Sequence, residues 1–173
     1  ARNLDTTEWI QIIEKAWQAG IPHIIFTGGE PTIRPDLPEL IQKAEDQGQV
    51  AGLITDGLRF TEKDYLHKLL QSGLDHVLFV LLPEEDQSWE ALRDVMAEDI
   101  FVTTHLTITA HRLEKLTAYF DKLKKIGVKS LSISSDSAQT GESFPLVQRK
   151  AAEYGFSLVW DLPVPYSANN PIE

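Results

Sequence analysis

Two adjacent glycines and a carboxylate stand together at Gly28, Gly29 and Glu30, one residue after the apolar run 23–26 and directly before Pro31. A glycine pair lets the backbone turn sharply and approach a ligand closely, because no Cβ stands in the way. The neighbouring carboxylate can accept hydrogen bonds from an amine. The segment therefore predicts a seat for an amino-acid-like group at the end of a strand. A plain strand-to-helix turn would use the same residues.

Other polar residues follow the later apolar runs of the chain. They are Thr55 and Asp56, then Thr107, then Ser134. If the strands are parallel, their carboxyl ends meet at one edge, where ligands of such folds bind. The predicted rim is rich in acids and hydroxyls and suits a cationic or multiply hydroxylated ligand better than a phosphate. Asp56-Gly57 is also a common turn dipeptide.

Alternation within two segments predicts one polar sheet face. In 101–109 this face carries His105 among threonines, and in 129–134 it carries three serines, whereas the opposite faces are mostly apolar. One interpretation is a barrel interior that holds a ligand in a wet cavity. The alternatives are that these groups bond one another, or that the sheet is open to water. We expect His105 to be a satisfied interior side chain rather than a ligand contact.

Other titratable residues point to no further catalytic centre. His23 and His76 stand at strand beginnings and are interpreted as structural. No cluster has the spacing of metal ligands. The lysines fall in helices or near strand starts, which disfavours a Schiff-base aldolase. No glycine loop matches a phosphate or dinucleotide fingerprint.

Six units of one helix and one strand repeat along the chain, with glycines marking most of the helix ends. Helices are predicted to start at Asp5, Asp36, Thr61, Ser88 and Ser143, with another over 113–126. Strands are predicted at 23–27, 50–55, 75–82, 101–109, 129–135 and 156–161. This alternation predicts an α/β fold with parallel strands. The near-constant period favours a partial (β/α) barrel of about six helix–strand units whose first strand is missing.

Composition limits which partners, locations and kinds of site the protein can have. The 173 residues carry a formal charge of −10, which argues against nucleic acid and anionic membrane as partners. No apolar run is long enough to span a membrane, so we expect a cytoplasmic protein. The chain has no cysteine, which removes disulfides and thiolate metal sites. We predict a barrel core over 1–162 and an exit linker over 163–173.

Three segments resemble the radical S-adenosylmethionine (radical SAM) superfamily. The first is Phe26–Leu37, which contains the Gly-Gly-Glu-Pro stretch. The second is Ile54–Leu58, similar to the Thr-Asn-Gly strand end of many members, with Asp56 in place of Asn. The third is Leu4–Trp9, which resembles the helix start after the cluster loop. The order of helices and strands agrees along nearly the whole chain.

The resemblance implies a (β/α)6 partial barrel with S-adenosylmethionine and a [4Fe–4S] cluster, whose chemistry generates a 5′-deoxyadenosyl radical for hydrogen abstraction. It implies that the methionine amino group meets Gly28, Gly29 and Glu30, while Pro31 shapes the turn. By position, Thr107 and Ser134 would line the adenosine or substrate side, and Thr55 and Asp56 would join the cofactor site. It also implies a small-molecule or peptide substrate, an electron donor such as flavodoxin or ferredoxin, and in some members a C-terminal auxiliary-cluster region.

Two departures from the family pattern leave the function open. The three-cysteine loop that defines the family is not in this chain, so the residues given cannot hold the cluster. Leu81-Leu82-Pro83 stands where many members carry a polar Ser-x-Asp. Either the full-length protein is a radical SAM oxidoreductase or maturase and this fragment is its core, or the chain is a degenerate, non-catalytic barrel that binds a small molecule or protein. An unrelated barrel enzyme is a third hypothesis.

Overall fold

The computed structural model describes residues 3–159 as six strands that alternate with helices. The strands are β1 (His23–Phe26), β2 (Val50–Thr55), β3 (Leu74–Val80), β4 (Phe101–Ile108), β5 (Ser130–Ser135) and β6 (Ser157–Leu158). The helices are α1 (Thr6–Gln18), α2 (Leu37–Asp46), α3 (Lys63–Gln71), α4 (Asp86–Met96), α5 (Ala110–Glu114), α6 (Leu116–Ile126), α7 (Ala138–Gly141) and α8 (Phe144–Tyr154). Two short 3₁₀ helices, Pro31–Ile33 and Leu58–Thr61, follow β1 and β2.

All six strands lie in one sheet in sequence order, and every neighbouring pair is parallel. Within the described residues β1 and β6 are the outermost strands and do not pair with each other, so the sheet is not closed. The prediction of an α/β partial barrel with parallel strands is therefore confirmed. Because consecutive parallel strands are joined by crossovers of one hand, the helices cover the same side of the sheet.

The two faces of the sheet differ in burial at β1 and at the start of β4. Leu53, Phe79 and Leu106 point toward the helices and are fully buried. On the opposite, open face, the side chains of Ile25 and Phe101 are 42% and 63% exposed. The core thus sits between the sheet and its helices, and the carboxyl ends of all the strands lie along one edge of the sheet, beside the open face.

Among residues 3–159, side-chain capping hydrogen bonds mark the starts of three of the eight α-helices, namely α1, α5 and α7. Asp5 and Glu8 form a capping box at the start of α1, as the sequence predicts. The predicted start at Ser88 is wrong, because α4 begins at Asp86. The Ser88 hydroxyl instead accepts a hydrogen bond from the backbone N–H of Leu82 at the end of β3. The predicted start at Thr61 is displaced as well, because Thr61 closes a 3₁₀ turn before α3 begins.

Residues 160–162 of the predicted core and the predicted exit linker 163–173 lie outside the described residues. No helix between residues 3 and 159 combines the length and apolar character needed to cross a bilayer. Most predicted strand bounds agree with the observed ones within one or two residues, because the alternation of apolar runs and glycine stops is regular.

Candidate functional site

The glycine pair forms an open corner at the carboxyl end of β1. Gly28 has φ +147°, a backbone conformation that side-chain-bearing residues rarely adopt. A Cβ added at either Gly28 or Gly29 would meet no atom within 4 Å, so open space lies over this backbone. Both residues are exposed, whereas Pro31 behind them is buried and starts the short 3₁₀ helix. The corner can therefore receive a ligand group against bare backbone.

Four hydrogen bonds hold the Glu30 carboxylate in place. Oε1 accepts from the Thr32 backbone N–H at 2.8 Å, the Thr32 hydroxyl at 2.5 Å and the Thr55 hydroxyl at 2.6 Å. Oε2 accepts from the backbone N–H of Asp56 at 2.8 Å. Glu30 thus joins the corner after β1 to the end of β2. All four donors are neutral groups, so none of them is a cation paired with the carboxylate, and Oε2 retains room for a further donor.

Thr32 is a member of this cluster that sequence analysis missed. It is fully buried, and it supplies two of the four donors to Glu30. Its own carbonyl accepts from Arg59 Nη1 at 2.6 Å and from the Tyr65 hydroxyl at 3.1 Å. The available signal was a threonine two residues after a glutamate, a spacing at which side chains bond the local backbone. Tyr65 is itself partly buried, and burial raises its pKa to about 12.

The end of β2 is fixed by a turn around Gly57. Thr55 accepts a hydrogen bond from the Gly57 N–H at 2.9 Å, and Asp56 Oδ1 accepts from the Leu58 N–H at 3.0 Å. Gly57 has φ +66° and lies against the ring of Phe79. Thr55 and Asp56 therefore stand beside Glu30, as the sequence predicts for residues at neighbouring strand ends.

The corner carries negative charge that no cation balances within residues 3–159. Arg34 pairs with Asp36 at 2.6 Å, and Arg59 pairs with Glu62 at 2.9 Å. Neither arginine contacts the Glu30 carboxylate through its guanidinium. Burial raises the pKa of Asp56, and the nearby charge of Glu30 raises that pKa further. A site built this way attracts a cation such as an ammonium group.

A second polar cluster lies on the open face at β4 and β5. His105 Nδ1 lies 3.0 Å from the Ser132 hydroxyl, and His105 Nε2 lies 3.0 Å from the Ser134 hydroxyl. The Ser134 hydroxyl also donates to the Thr107 hydroxyl at 3.2 Å. Burial lowers the pKa of His105, which favours the neutral imidazole. Thr103 and Ser130 pair in the same way at 3.0 Å.

These contacts decide between the interpretations of the polar face. The side chains bond one another across β4 and β5, and the sheet is open, so the described residues form no closed wet cavity there. His105 is a satisfied side chain, as predicted. Thr107 and Ser134 stand next to each other but belong to a different group from Glu30, since β3 lies between β2 and β4. The structure thus brings the predicted residues together as two groups at the same edge of the sheet.

One carboxylate of the predicted acidic rim, Glu84, is engaged in an ion pair within the protein. Arg112 forms a two-point ion pair with Glu84, with Nη2 to Oε2 at 2.7 Å and Nε to Oε1 at 2.8 Å. Arg112 Nη1 also donates to the carbonyl of Thr107 at 2.9 Å. Glu84 and Arg112 therefore tie the end of β4 to the loop after β3. Among residues 3–159, no group of three or more His, Asp or Glu residues is arranged to hold a metal ion.

The chain is similar in sequence to proteins of one known family. Residues 1–81 match the family model of the radical SAM superfamily. The PqqA peptide cyclase of Granulibacter bethesdensis is 38% identical over 74 residues, which cover 43% of this chain and 20% of that protein. The PqqA peptide cyclase of Methylorubrum populi is 27% identical over 199 residues, covering 97% of this chain and 52% of that protein. The chain therefore spans at most about half the length of these two relatives.

Solved structures share the fold at low sequence identity. Streptococcus suis SuiB bound to S-adenosylmethionine has a TM-score of 0.72 and 16% identity, covering 92% of this chain and 44% of that one. SuiB bound to precursor peptide SuiA gives the same TM-score and identity, covering 92% of this chain and 43% of that one. TYW1 with a lysine-pyruvate adduct gives a TM-score of 0.60 and 14% identity, covering 85% of this chain and 59% of that one.

Proposed function

This chain carries a radical SAM core domain, and on that premise we propose that its corner at Gly28, Gly29 and Glu30 binds the amino-acid end of S-adenosylmethionine. The proposal extends to the protein's activity, which would be that of a radical SAM oxidoreductase or maturase. The observation that supports it most is the Glu30 carboxylate. It is fixed by four neutral donors, has no cation partner among residues 3–159, and stands beside open space over two glycines.

Some residues of the corner would contact the ligand, and others hold those residues in place. The exposed backbone at Gly28 and Gly29 offers carbonyl oxygens that can accept from an ammonium, while Glu30 adds a charged acceptor. Pro31 and Thr32 anchor the turn, and Thr55 holds the carboxylate in its orientation. Asp56 adds a second negative charge close by, which strengthens attraction for a cation.

The hydroxyl cluster would serve the other end of the ligand. Thr107 and Ser134 lie at the same edge of the sheet, on the open face, and offer hydroxyls to the adenosine or the substrate. S-adenosylmethionine held here would supply radical chemistry for hydrogen abstraction, and the role of these residues would be to bind and orient it.

The [4Fe–4S] cluster does not fit the residues of this chain. Iron–sulfur clusters are held by cysteine thiolates, and the 173 residues contain none. No step of a reaction is therefore assigned to a cluster on these residues. In the proposed enzyme, the cluster thiolates belong to residues other than these 173. The electron comes from a donor such as flavodoxin or ferredoxin. A cytoplasmic location is part of the same proposal.

A peptide is the substrate class that the similar proteins favour. Two relatives are named for cyclising the peptide PqqA, and SuiB was solved with its precursor peptide. The open face of the sheet, with exposed apolar side chains at Ile25 and Phe101 and the partly exposed hydroxyls of Thr107 and Ser134, offers both apolar and hydrogen-bonding contacts of the kind a peptide needs. We include a peptide substrate in the proposal, with a small molecule as the alternative.

Calorimetric titration with two ligands tests the cofactor proposal. S-adenosylmethionine and 5′-methylthioadenosine share the nucleoside, but only the first has the amino-acid group. We expect the chain to bind S-adenosylmethionine about 10- to 100-fold more tightly, the range that a hydrogen bond to a charged group supplies. Equal affinities would show that the corner does not hold the amino group.

A non-catalytic barrel that binds a small molecule or protein is the second candidate function, and the absence of cysteine is the observation that favours it. The same titration separates the two candidates. A degenerate barrel that has lost the cofactor would bind neither nucleoside, whereas a core domain that keeps the site would still select the ligand with the amino-acid group.

A further inference from the structure

Two histidines meet on the open face at the amino ends of the strands, opposite the glycine corner. His23 begins β1 and His76 lies near the start of β3. Their Nε2 atoms are 2.6 Å apart, and their rings are 4.9 Å apart between centroids with an angle of 72°. The two side chains therefore reach toward each other across β2, which lies between their strands.

Gly52 on β2 makes room for this contact. It is the register partner of His76, and a Cβ built at Gly52 would lie 2.1 Å from Cε1 of the His76 ring. Any other residue at this position would displace the imidazole. The glycine is not in a left-handed conformation, so close approach of the ring is the reason for its presence. The pair is thus accommodated by the sheet rather than formed by two free surface side chains.

The Nε2 atoms of the two rings point toward each other. Each Nε2 lies about 1.2 Å from its ring centroid, so a 2.6 Å contact with centroids 4.9 Å apart places the two nitrogens nearly in line. One Nε2 therefore donates a proton to the other. No Nδ1 contact with another described residue is present at either histidine, so the shared proton can move to an Nδ1 and leave two facing lone pairs.

We propose that His23 and His76 form a two-histidine site for a single first-row transition-metal ion, with Cu²⁺ bound best and Ni²⁺ and Zn²⁺ less tightly. Neutral imidazole is a common ligand of these ions, and Cu²⁺ leads the affinity order for nitrogen donors. Metal–nitrogen bonds of about 2.0 Å place two nitrogens about 2.8 Å apart at a right angle, so the two nitrogens need to separate by only a few tenths of an ångström. Each ring must also turn by about 45°, so that its lone pair points to the ion and not to the other nitrogen.

The surroundings agree with metal binding. His23 is exposed, which lets its ring rotate and leaves the remaining coordination positions to water. The site lies at the amino ends of the strands, whereas Glu30 lies at their carboxyl ends. The metal proposal therefore goes beyond the proposed cofactor function, and a test of one does not decide the other.

Calorimetric titration of the untagged chain with CuCl₂ at pH 7.5 tests this site. We expect one ion per wild-type chain, and an affinity at least about tenfold lower in His23→Ala and His76→Gln, because each variant loses the chelating pair. His67→Ala and His111→Ala are matched controls on exposed histidines, and we expect wild-type affinity from both. Gly52→Ala should weaken binding like the histidine variants, because its Cβ displaces the His76 ring.

Electron paramagnetic resonance of the wild-type chain with one equivalent of Cu²⁺ gives a readout that does not depend on any variant folding. We expect hyperfine coupling from two imidazole nitrogens, reduced to one in His23→Ala. Wild-type affinity in His23→Ala, or a spectrum without coupling to two imidazoles in the wild-type chain, would overturn the proposal.

Discussion

Replacing Glu30 with glutamine is expected to lower the free energy of unfolding by about 2 kcal/mol, because a hydrogen bond to a charged acceptor contributes about 1.5–3 kcal/mol. In the wild type, Oε1 accepts three hydrogen bonds and Oε2 accepts one. A glutamine has one oxygen, so its NH₂ group must face either the Asp56 N–H or the donors of Thr32 and Thr55. Urea denaturation followed by circular dichroism measures this loss.

Glu90→Gln is the matched control for Glu30→Gln. Glu90 is exposed on α4, and we expect its replacement to change the free energy of unfolding by no more than about 0.5 kcal/mol. In the same Glu30→Gln protein, the affinity for S-adenosylmethionine should fall about 10- to 100-fold. If stability falls and the affinity stays at the wild-type value, Glu30 is only a structural link between the ends of β1 and β2.

Substituting Gly57 with alanine is expected to destabilise the fold by about 3 kcal/mol, the sum of a left-handed backbone and an overpacked core. Gly57 has φ +66°, and an added Cβ would lie 2.2 Å from the ring of Phe79, which is fully buried. The ring cannot move without disturbing the core beneath β2 and β3. Thermal and urea unfolding of the variant measure the effect.

Gly155→Ala separates the two causes. Gly155 ends α8 with φ +78°, and a Cβ there would meet no atom within 4 Å. The Gly155→Ala variant should therefore lose only the backbone contribution to the free energy of unfolding, about 1 kcal/mol. Equal losses at Gly57 and Gly155 would mean that the contact with Phe79 contributes nothing.

The fold could be predicted from the sequence because its signals are local and periodic. Each of the six longer helices has an apolar stripe, and the glycine that follows most of them marks where the next strand begins. The helix starts depend more on contacts between segments. Ser88 has the residue type of a helix cap, yet its hydroxyl bonds the end of β3, a contact between segments that a local pattern does not contain.

The site could be predicted in position but not in its internal bonds. The carboxyl ends of parallel strands had to bring Glu30 close to Thr55 and Asp56. That Glu30 would accept from both segments, and that Thr32 would supply two donors, depends on side-chain rotamers fixed by packing. The contact of His23 with His76 was missed for a related reason. It arises only when three strands are placed side by side and a glycine occupies the middle one.

Amide NMR mapping is the most direct test of whether the glycine corner holds the ammonium end of S-adenosylmethionine. On titration of the isotope-labelled chain with S-adenosylmethionine, we expect the largest shifts at the amides of Gly28, Gly29 and Asp56. Titration with 5′-methylthioadenosine should leave these three amides unshifted. Shifts confined to other parts of the chain, or the same shifts with both ligands, would mean that the ammonium end binds elsewhere or not at all.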